Sequence, residues 1–345
     1  MQAIALYRKY RPEKFEDVLG QGHIVNVLKQ AVKLGRISHA YLFAGPRGCG
    51  KTSVARILAR EAGCSDADLM EIDAASSRGI DEIRALREGV RYSPLQGKVK
   101  VYIIDEVHML TKEAFNALLK TLEEPPAHAI FILATTEMEK ILDTIVSRCQ
   151  SFTFKKIPEN VLKDSLVKIA KKEGFEIEDE SAGLVAMLAE GSFRDSQSLL
   201  DQVLSLGDKD KNAKISGEEV RNLLSVPARD LVEEFVSALV EKDPKKGLNV
   251  IQKVIDQNTD TKIFLKLVLR CVRFMLMISI DESLKKNILE MVGEDEFKFI
   301  ESKKKAVSDS EFGRIIKILL DHYDTRSRSY LPQLPLELAL IKITS

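Results

Sequence analysis

The chain has 345 residues, too many for one ordinary domain and enough for two or three that each bury a core. Hydrophobic residues at 45% and charged residues at 30% describe a soluble globular protein, and 52 basic side chains against 52 acidic ones exclude a global positive field for nucleic acid. The cysteines, Cys49, Cys64, Cys149 and Cys271, form no C-x-x-C pair and no Cys–His cluster at metal-ligand spacing, which argues against a disulfide framework and a zinc site.

The N-terminus, "MQAIALYRKYRPEKF", lacks the apolar core of a signal peptide, and no apolar run approaches the ~18 residues of a membrane span. A cytoplasmic protein with no membrane contact is expected. In chain order, "AYLFA" (Ala40 to Ala44), "LMEID" (Leu69 to Asp73), "VKVYIID" (Val99 to Asp105), "AIFILATT" (Ala129 to Thr136) and "SFTF" (Ser151 to Phe154) read as five buried strands. Continuous apolar runs, rather than alternation, predict a parallel sheet covered on both faces. Helical patterns at Lys51 to Ala62, Gly79 to Glu88 and Lys112 to Leu122 lie between the strands, the order of a doubly wound α/β domain over residues 1–156.

After "KKIPEN" (Lys155 to Asn160) apolar residues recur at helical spacing almost to the end, with no clear strand. Pro158 suits the first turn of a new helix. A second, weaker break falls at "SVPARD" (Ser225 to Asp230), where Pro227 interrupts the pattern. Two all-helical domains are therefore predicted, over residues 157–224 and 225–345.

"GPRGCGKT", Gly45 to Thr52, matches G-x-x-x-x-G-K-[ST] at every specified position, after a predicted strand and at the opening of a helix. Gly45, Gly48 and Gly50 let the backbone approach a triphosphate and turn successive N–H groups towards it, and the helix N-terminus adds partial positive charge. Pro46, Arg47, Cys49 and Ser53 complete the predicted nucleotide-binding loop. Lys51 would reach the β- and γ-phosphates of ATP, and the Thr52 hydroxyl would ligate Mg2+. The alternative is a glycine-rich turn with an exposed lysine.

"VYIIDEVHML" ends an apolar strand in two adjacent carboxylates at the edge where open α/β sheets bind ligands. Asp105 would hold the magnesium and Glu106 would polarise the attacking water, whereas alone the pair would read as a solvated acidic turn. Thr136, at the end of the next strand, is expected to contact the γ-phosphate or the water, a helix N-cap being its alternative. His108 reads as a capping or packing residue.

Together these features resemble an AAA+ ATPase. "YRKYRPEKFEDVLGQ" (Tyr7 to Gln21), "HAYLFAGPRGCGKTS", "IDEVHML", "SRC" and "GSFRDS" (Gly191 to Ser196) are similar, more narrowly, to the gamma/tau clamp-loader family of bacterial DNA polymerase III. Specific motifs carry the resemblance to about Gln202; beyond it only helical character and length do. It implies an AAA+ P-loop domain with a five-stranded parallel sheet, a small helical lid domain and a C-terminal all-α collar for oligomerisation. It also implies an ATP-driven motor working with delta and delta-prime subunits, other gamma/tau copies, a sliding clamp and primer–template DNA. The rivals are another AAA+ DNA-processing ATPase, replication factor C-like or a branch-migration motor, and a non-hydrolysing stator, which could tolerate a degraded P-loop.

By resemblance, Arg8, Arg11, Pro12, Val18 and Leu19 wall the adenine, although "RKYRP" could also form an exposed basic arm. Arg194 matches the family's second sensor, touching the γ-phosphate from a separate domain; its alternative is a helix-start arginine paired with Asp195 or Asp201. Arg148 matches the "SRC" arginine presented to the adjacent subunit's ATP, with a local salt bridge as alternative. Arg78 in "SSRGIDEIR" is a candidate DNA-backbone contact, in a stretch where Ser77 could equally cap a helix. One departure is clear. The family usually inserts a four-cysteine zinc module after the P-loop helix, but "AREAGCSDADLMEID" passes almost directly to the next strand with only Cys64, so no zinc is expected. The chain stops at Ser345, and the helicase and polymerase segments of the family's longer tau form are expected to be missing.

Overall fold

Five short runs form one parallel sheet in the computed structural model, which describes residues 4–76, 80–207, 214–257, 259–323 and 331–345. They are β1 (Ala40–Ala44), β2 (Leu69–Asp73), β3 (Lys100–Asp105), β4 (Ala129–Thr135) and β5 (Gln150–Thr153), in the order β2-β3-β4-β1-β5. Alternate residues of each strand face opposite sides. Tyr41, Phe43, Val101, Ile103, Ile130 and Ile132 pack on one side with helices Gly22–Lys33 and Lys51–Glu61. Leu42, Tyr102, Ile104, Phe131 and Leu133 pack on the other with Ile80–Val90 and Lys112–Glu123. The expectation of five buried strands holds for the central three and is corrected at the edges. Met70 in β2 is 40% exposed, and β5 buries none of its four residues fully, because an edge strand has a neighbour on one side only.

The connection from the P-loop helix to β2 is short, and a carboxylate organises it. Buried Asp68 accepts hydrogen bonds from the N–H groups of Leu95, Gln96 (3.0 Å) and Gly97 (2.6 Å) and from Ser65 Oγ (2.6 Å). The Ser65 hydroxyl, followed by the backbone donors, holds this carboxyl well below the usual range. Asp68 thereby ties the residues before β3 to those before β2.

Packing divides the chain into two compact units, Met1–Ile169 with Ala189–Asp201, and Ala170–Leu188 with Gln202–Ser345. Near the end of the first unit's leading stretch, Pro158 opens the helix Glu159–Lys172, its carbonyl accepting the Leu162 N–H at 3.1 Å, as its fixed φ favours. The second unit is built on helices Arg229–Glu241, Pro244–Asp256, Thr261–Ile280, Asp309–Tyr323 and Leu334–Thr344 around buried Phe235, Phe264 and Phe312. It also contains a parallel pair, Glu176–Ile177 with Lys214–Ile215, in a region read as strandless. Two residues per strand are too few for any period to register in the sequence. Among the described residues no helix is long and apolar enough to cross a membrane.

Candidate functional site

The loop after β1 is shaped by glycines at positive φ, where a side chain would be strained. Gly48 takes φ 71°, and a Cβ there would overlap Ser192 Oγ. Gly50, at φ 103°, turns the chain directly into the helix Lys51–Glu61. The Lys51 side chain is buried and folds over the loop, donating from Nζ to the carbonyls of Gly45 (2.7 Å) and Pro46 (2.9 Å). Cys49 Sγ lies 2.8 Å from the same Pro46 carbonyl, and burial pushes its thiol up. Arg47 is exposed at the tip and Ser53 is half-buried in the first helical turn.

Beside this loop the sheet brings the predicted polar groups together. Thr52 Oγ1 donates to Asp105 Oδ2 at 2.7 Å, so a hydroxyl and a carboxylate, two hard oxygen donors suited to magnesium, meet at one point. Asp105 Oδ1 accepts the Glu106 N–H at 3.0 Å. Glu106 has φ 48°, uncommon for a residue with a side chain, and its Oε2 accepts from Thr136 Oγ1 (2.9 Å) and Thr136 N (3.2 Å). Thr136 therefore holds Glu106 directly. His108, 5% exposed at its side chain, lies behind them with Nδ1 2.9 Å from Thr135 Oγ1 and 3.5 Å from Glu106 Oε2, and Nε2 3.1 Å from Glu137 Oε1. The Lys140 ammonium, 2.7 Å away, and then the imidazole hold the Glu137 carboxyl below the usual range.

The N-terminal segment and residues 189–201 close the other side of the loop. Gly48 O accepts the Phe193 N–H at 2.9 Å, which places Arg194 at the start of its helix, Phe193–Leu204, beside the glycine turn. The Arg194 guanidinium lies over the Tyr7 ring, 5.2 Å from its centroid, and Arg8 lies 5.7 Å from the same ring. Burial, then the charges of Arg56, Arg194 and Arg8, push Arg11 down, while Glu71 opposes them. Arg56 is itself paired with Glu71, so Arg8, Arg11 and Arg194 carry the local excess of positive charge, in a chain of zero net charge. Val18 packs against the core, Pro12 is half-buried, and Leu19 is exposed. Gln21, fully buried, donates from Nε2 to Lys155 O (2.8 Å) and Cys49 O (3.4 Å) and accepts the Lys155 N–H at Oε1 (3.2 Å).

Arg148 stands apart from this group. Its Nη2 donates to Glu123 Oε1 at 2.6 Å and its Nη1 to Thr144 O at 2.7 Å. It precedes β5, whose Gln150 pairs with Tyr41, whereas the phosphate-binding loop follows Ala44 at the other end of β1. At ~3.3 Å per residue the start of β5 lies about 13 Å along the strands from that loop, and Arg148 sits in the turn before it. Arg78 lies outside the described residues. Sequence reasoning passed over Tyr7, Gln21, Arg56 and Ser192 and left His108 as packing. A small residue two positions before Arg194 was the available signal for Ser192.

The sheet order, the loop and the two carboxylates define the class: this is an α/β P-loop ATPase fold of the AAA+ type. Solved structures agree, among them the Thermotoga maritima RuvB Holliday junction branch migration motor, with TM-score 0.53 and 22% identity over 67% of this chain and 80% of that one. Three family models match: DNA polymerase III, delta subunit, at residues 20–78 and 65–158; DNA polymerase III clamp loader subunit, ATPase lid domain, at 162–209; and DNA polymerase III subunits gamma and tau domain III, at 215–345. DNA polymerase III subunit tau of Bacillus subtilis is 38% identical over 98% of this chain and 63% of its own length. The gamma/tau subunit of Mycobacterium tuberculosis is 42% identical over 76% and 49%, and subunit gamma of Buchnera aphidicola is 36% identical over 81% and 81%. The chain belongs to the DNA polymerase III gamma/tau family. It spans about half to two thirds of the length of the first two relatives.

Proposed function

We propose that this chain is an ATP-hydrolysing motor subunit of a DNA polymerase III clamp loader, acting in the cytoplasm. Its partners in this reading are delta and delta-prime subunits, further gamma/tau copies, the sliding clamp and primer–template DNA, with Arg78 on the DNA backbone. Residues 1–156 serve as the ATPase domain, 157–224 as the lid and 225–345 as the oligomerising collar. The observation that carries the reading is the intact constellation of Lys51, Thr52, Asp105, Glu106 and Thr136 around one phosphate-binding loop, which a non-hydrolysing stator has no need to keep.

Hydrolysis here is phosphoryl transfer to water, in which the protein positions groups and balances charge. Loop N–H groups and Lys51 bind the β- and γ-phosphates. Magnesium, held by Thr52 and Asp105, would neutralise charge on those phosphates. Glu106, aimed by Thr136, orients the attacking water and takes its proton. Arg194 approaches the γ-phosphate from the helix that begins beside Gly48, and Arg8, Arg11, Pro12, Val18 and Leu19 wall the base.

Arg148 acts in a neighbour's site. Its position before β5, at the end of the sheet away from its own loop, supports service in trans. Its bond to Glu123 is partly exposed, and such pairs are worth roughly 0–1 kcal/mol, so exchanging Glu123 for a neighbour's phosphate costs little. ATP turnover by the full chain mixed with delta, delta-prime, clamp and primed DNA tests the reading, and lack of stimulation by clamp plus DNA would overturn it. Chains carrying Arg148→Ala should bind ATP normally while slowing hydrolysis by the neighbour they complete, by roughly 10³- to 10⁵-fold. Loss of ATP binding by the isolated variant would disprove the trans role.

A further inference from the structure

His108 is a buried polar side chain next to the proposed water-orienting carboxylate, and it has no task in the reaction as described. Each of its nitrogens is set against oxygen. Nδ1 faces Thr135 Oγ1 at 2.9 Å and Glu106 Oε2 at 3.5 Å, and Nε2 faces Glu137 Oε1 at 3.1 Å. The far end of this chain of contacts is itself fixed. Thr135 Oγ1 accepts the Glu137 N–H (3.0 Å) and donates to the Glu137 carbonyl (3.2 Å), and Lys140 pairs with the Glu137 carboxylate at 2.7 Å. The ring is therefore anchored to the turn after β4 and presents only its Nδ1 edge to Glu106.

We propose that His108 is a positioning residue for Glu106, using Glu137 and Thr135 as its anchor and fixing where the Glu106 carboxylate can point. The inference rests on the ATPase reading above. Glu106 springs from left-handed backbone at φ 48°, and Thr136 restrains its Oε2 from one side only. The imidazole edge stands on the second side as a close contact, with Nδ1 set on Thr135 Oγ1 and 3.5 Å from Oε2. With Oε2 held by Thr136 and flanked by the ring, Oε1 is the atom that takes the proton from water. The anchor also belongs to the turn that leads, through the helix Asp143–Val146, to Arg148. The turn that anchors Glu106, itself at the end of β3, is thus the one from which the chain runs on to Arg148.

Three replacements of His108 in the full chain separate this role from packing. His108→Asn keeps a donor near the Nδ1 position, His108→Gln keeps one near the Nε2 position, and His108→Ala keeps neither. ATP affinity is measured by direct titration of a non-hydrolysable analogue, and turnover in the presence of delta, delta-prime, clamp and primed DNA. His108→Ala should lower kcat roughly 10- to 100-fold, part of the 10²–10⁴ that a positioned base contributes, with ATP affinity within about twofold of wild type. His108→Asn should recover most of the loss and His108→Gln little. In a Glu106→Gln background, His108→Ala should change residual turnover less than about twofold, since the carboxylate it positions is gone. Wild-type kcat in His108→Ala would overturn the proposal, as would parallel loss of affinity and kcat, or better rescue by Gln than by Asn. Absence of turnover by the wild-type chain would instead overturn the ATPase reading, and the inference with it.

Discussion

Gln21 ties the segment before the first long helix to the chain after β5 and to the phosphate-binding loop, and replacing it has a calculable cost. Its side chain makes three hydrogen bonds, two with the main chain of Lys155 just after β5 and a longer one with Cys49 O in the phosphate-binding loop. At about 1 kcal/mol net for each, Gln21→Ala should destabilise the first unit by roughly 2–4 kcal/mol. Gln21→Glu is the sharper probe. A carboxylate can still accept the Lys155 N–H, but its second oxygen would face the Lys155 and Cys49 carbonyls with no proton to give. Those oxygens would raise the folded-state pKa of the introduced acid above its unfolded value of about 4.3. Stability of this variant is thus retained below that value and lost as pH rises through the folded pKa, so its deficit against wild type should be larger at pH 8 than at pH 5. The chain contains no tryptophan, so pulse proteolysis across a urea series is a better probe than intrinsic fluorescence. A loss below about 1 kcal/mol for Gln21→Ala, or a pH-independent deficit for Gln21→Glu, would refute the reasoning.

The Tyr102 ring stacks on Phe131 with centroids 5.3 Å apart, yet its buried hydroxyl has no hydrogen-bond partner among the described residues, and burial pushes its pKa up to about 12. Tyr102→Phe should therefore leave stability unchanged or raise it by up to about 1 kcal/mol in the same urea series, and a clear loss would show that the hydroxyl is satisfied in solution. Burial raises the thiols of Cys49, Cys64 and Cys271, and pushes Cys149 up to about 11. Alkylation by iodoacetamide at pH 8, followed by mass spectrometry, should be slow at all four in the native chain and fast after unfolding. Cys149 is half-buried, and rapid native labelling there would contradict its raised thiol.

Features set by local chain chemistry were legible in the sequence. The strand Ala40–Ala44 is uniformly apolar, and the glycines that follow have positive φ where the spacing requires it. Lys51, Thr52, Asp105, Glu106 and Thr136 converge because parallel strands bring their C-terminal ends to one edge. What depended on distant partners was not legible. Gln21 is 134 residues from Lys155, and a glutamine after a glycine advertises no such contact. His108 could be placed beside two carboxylates by sequence, but the Glu137 that anchors it comes from the next strand's turn. The exposure of β2 and β5 followed from their places in the sheet order, and β2 reads as apolar enough to be central.

The positions of the loop and of Arg148 at opposite ends of adjacent strands give the subunit a polarity. In the trans reading proposed above, subunits that offer Arg148 at one end and a pocket at the other can join head to tail. Such contacts either close into a ring or leave two unequal ends. In an open array of these chains every junction completes one pocket, so one terminal pocket always lacks an arginine and one terminal arginine has nothing to serve. An assembly that stops short of closure therefore has two distinguishable ends even when its middle is made of identical copies. An end subunit that only donates, or only receives, fits there without loss of chemistry.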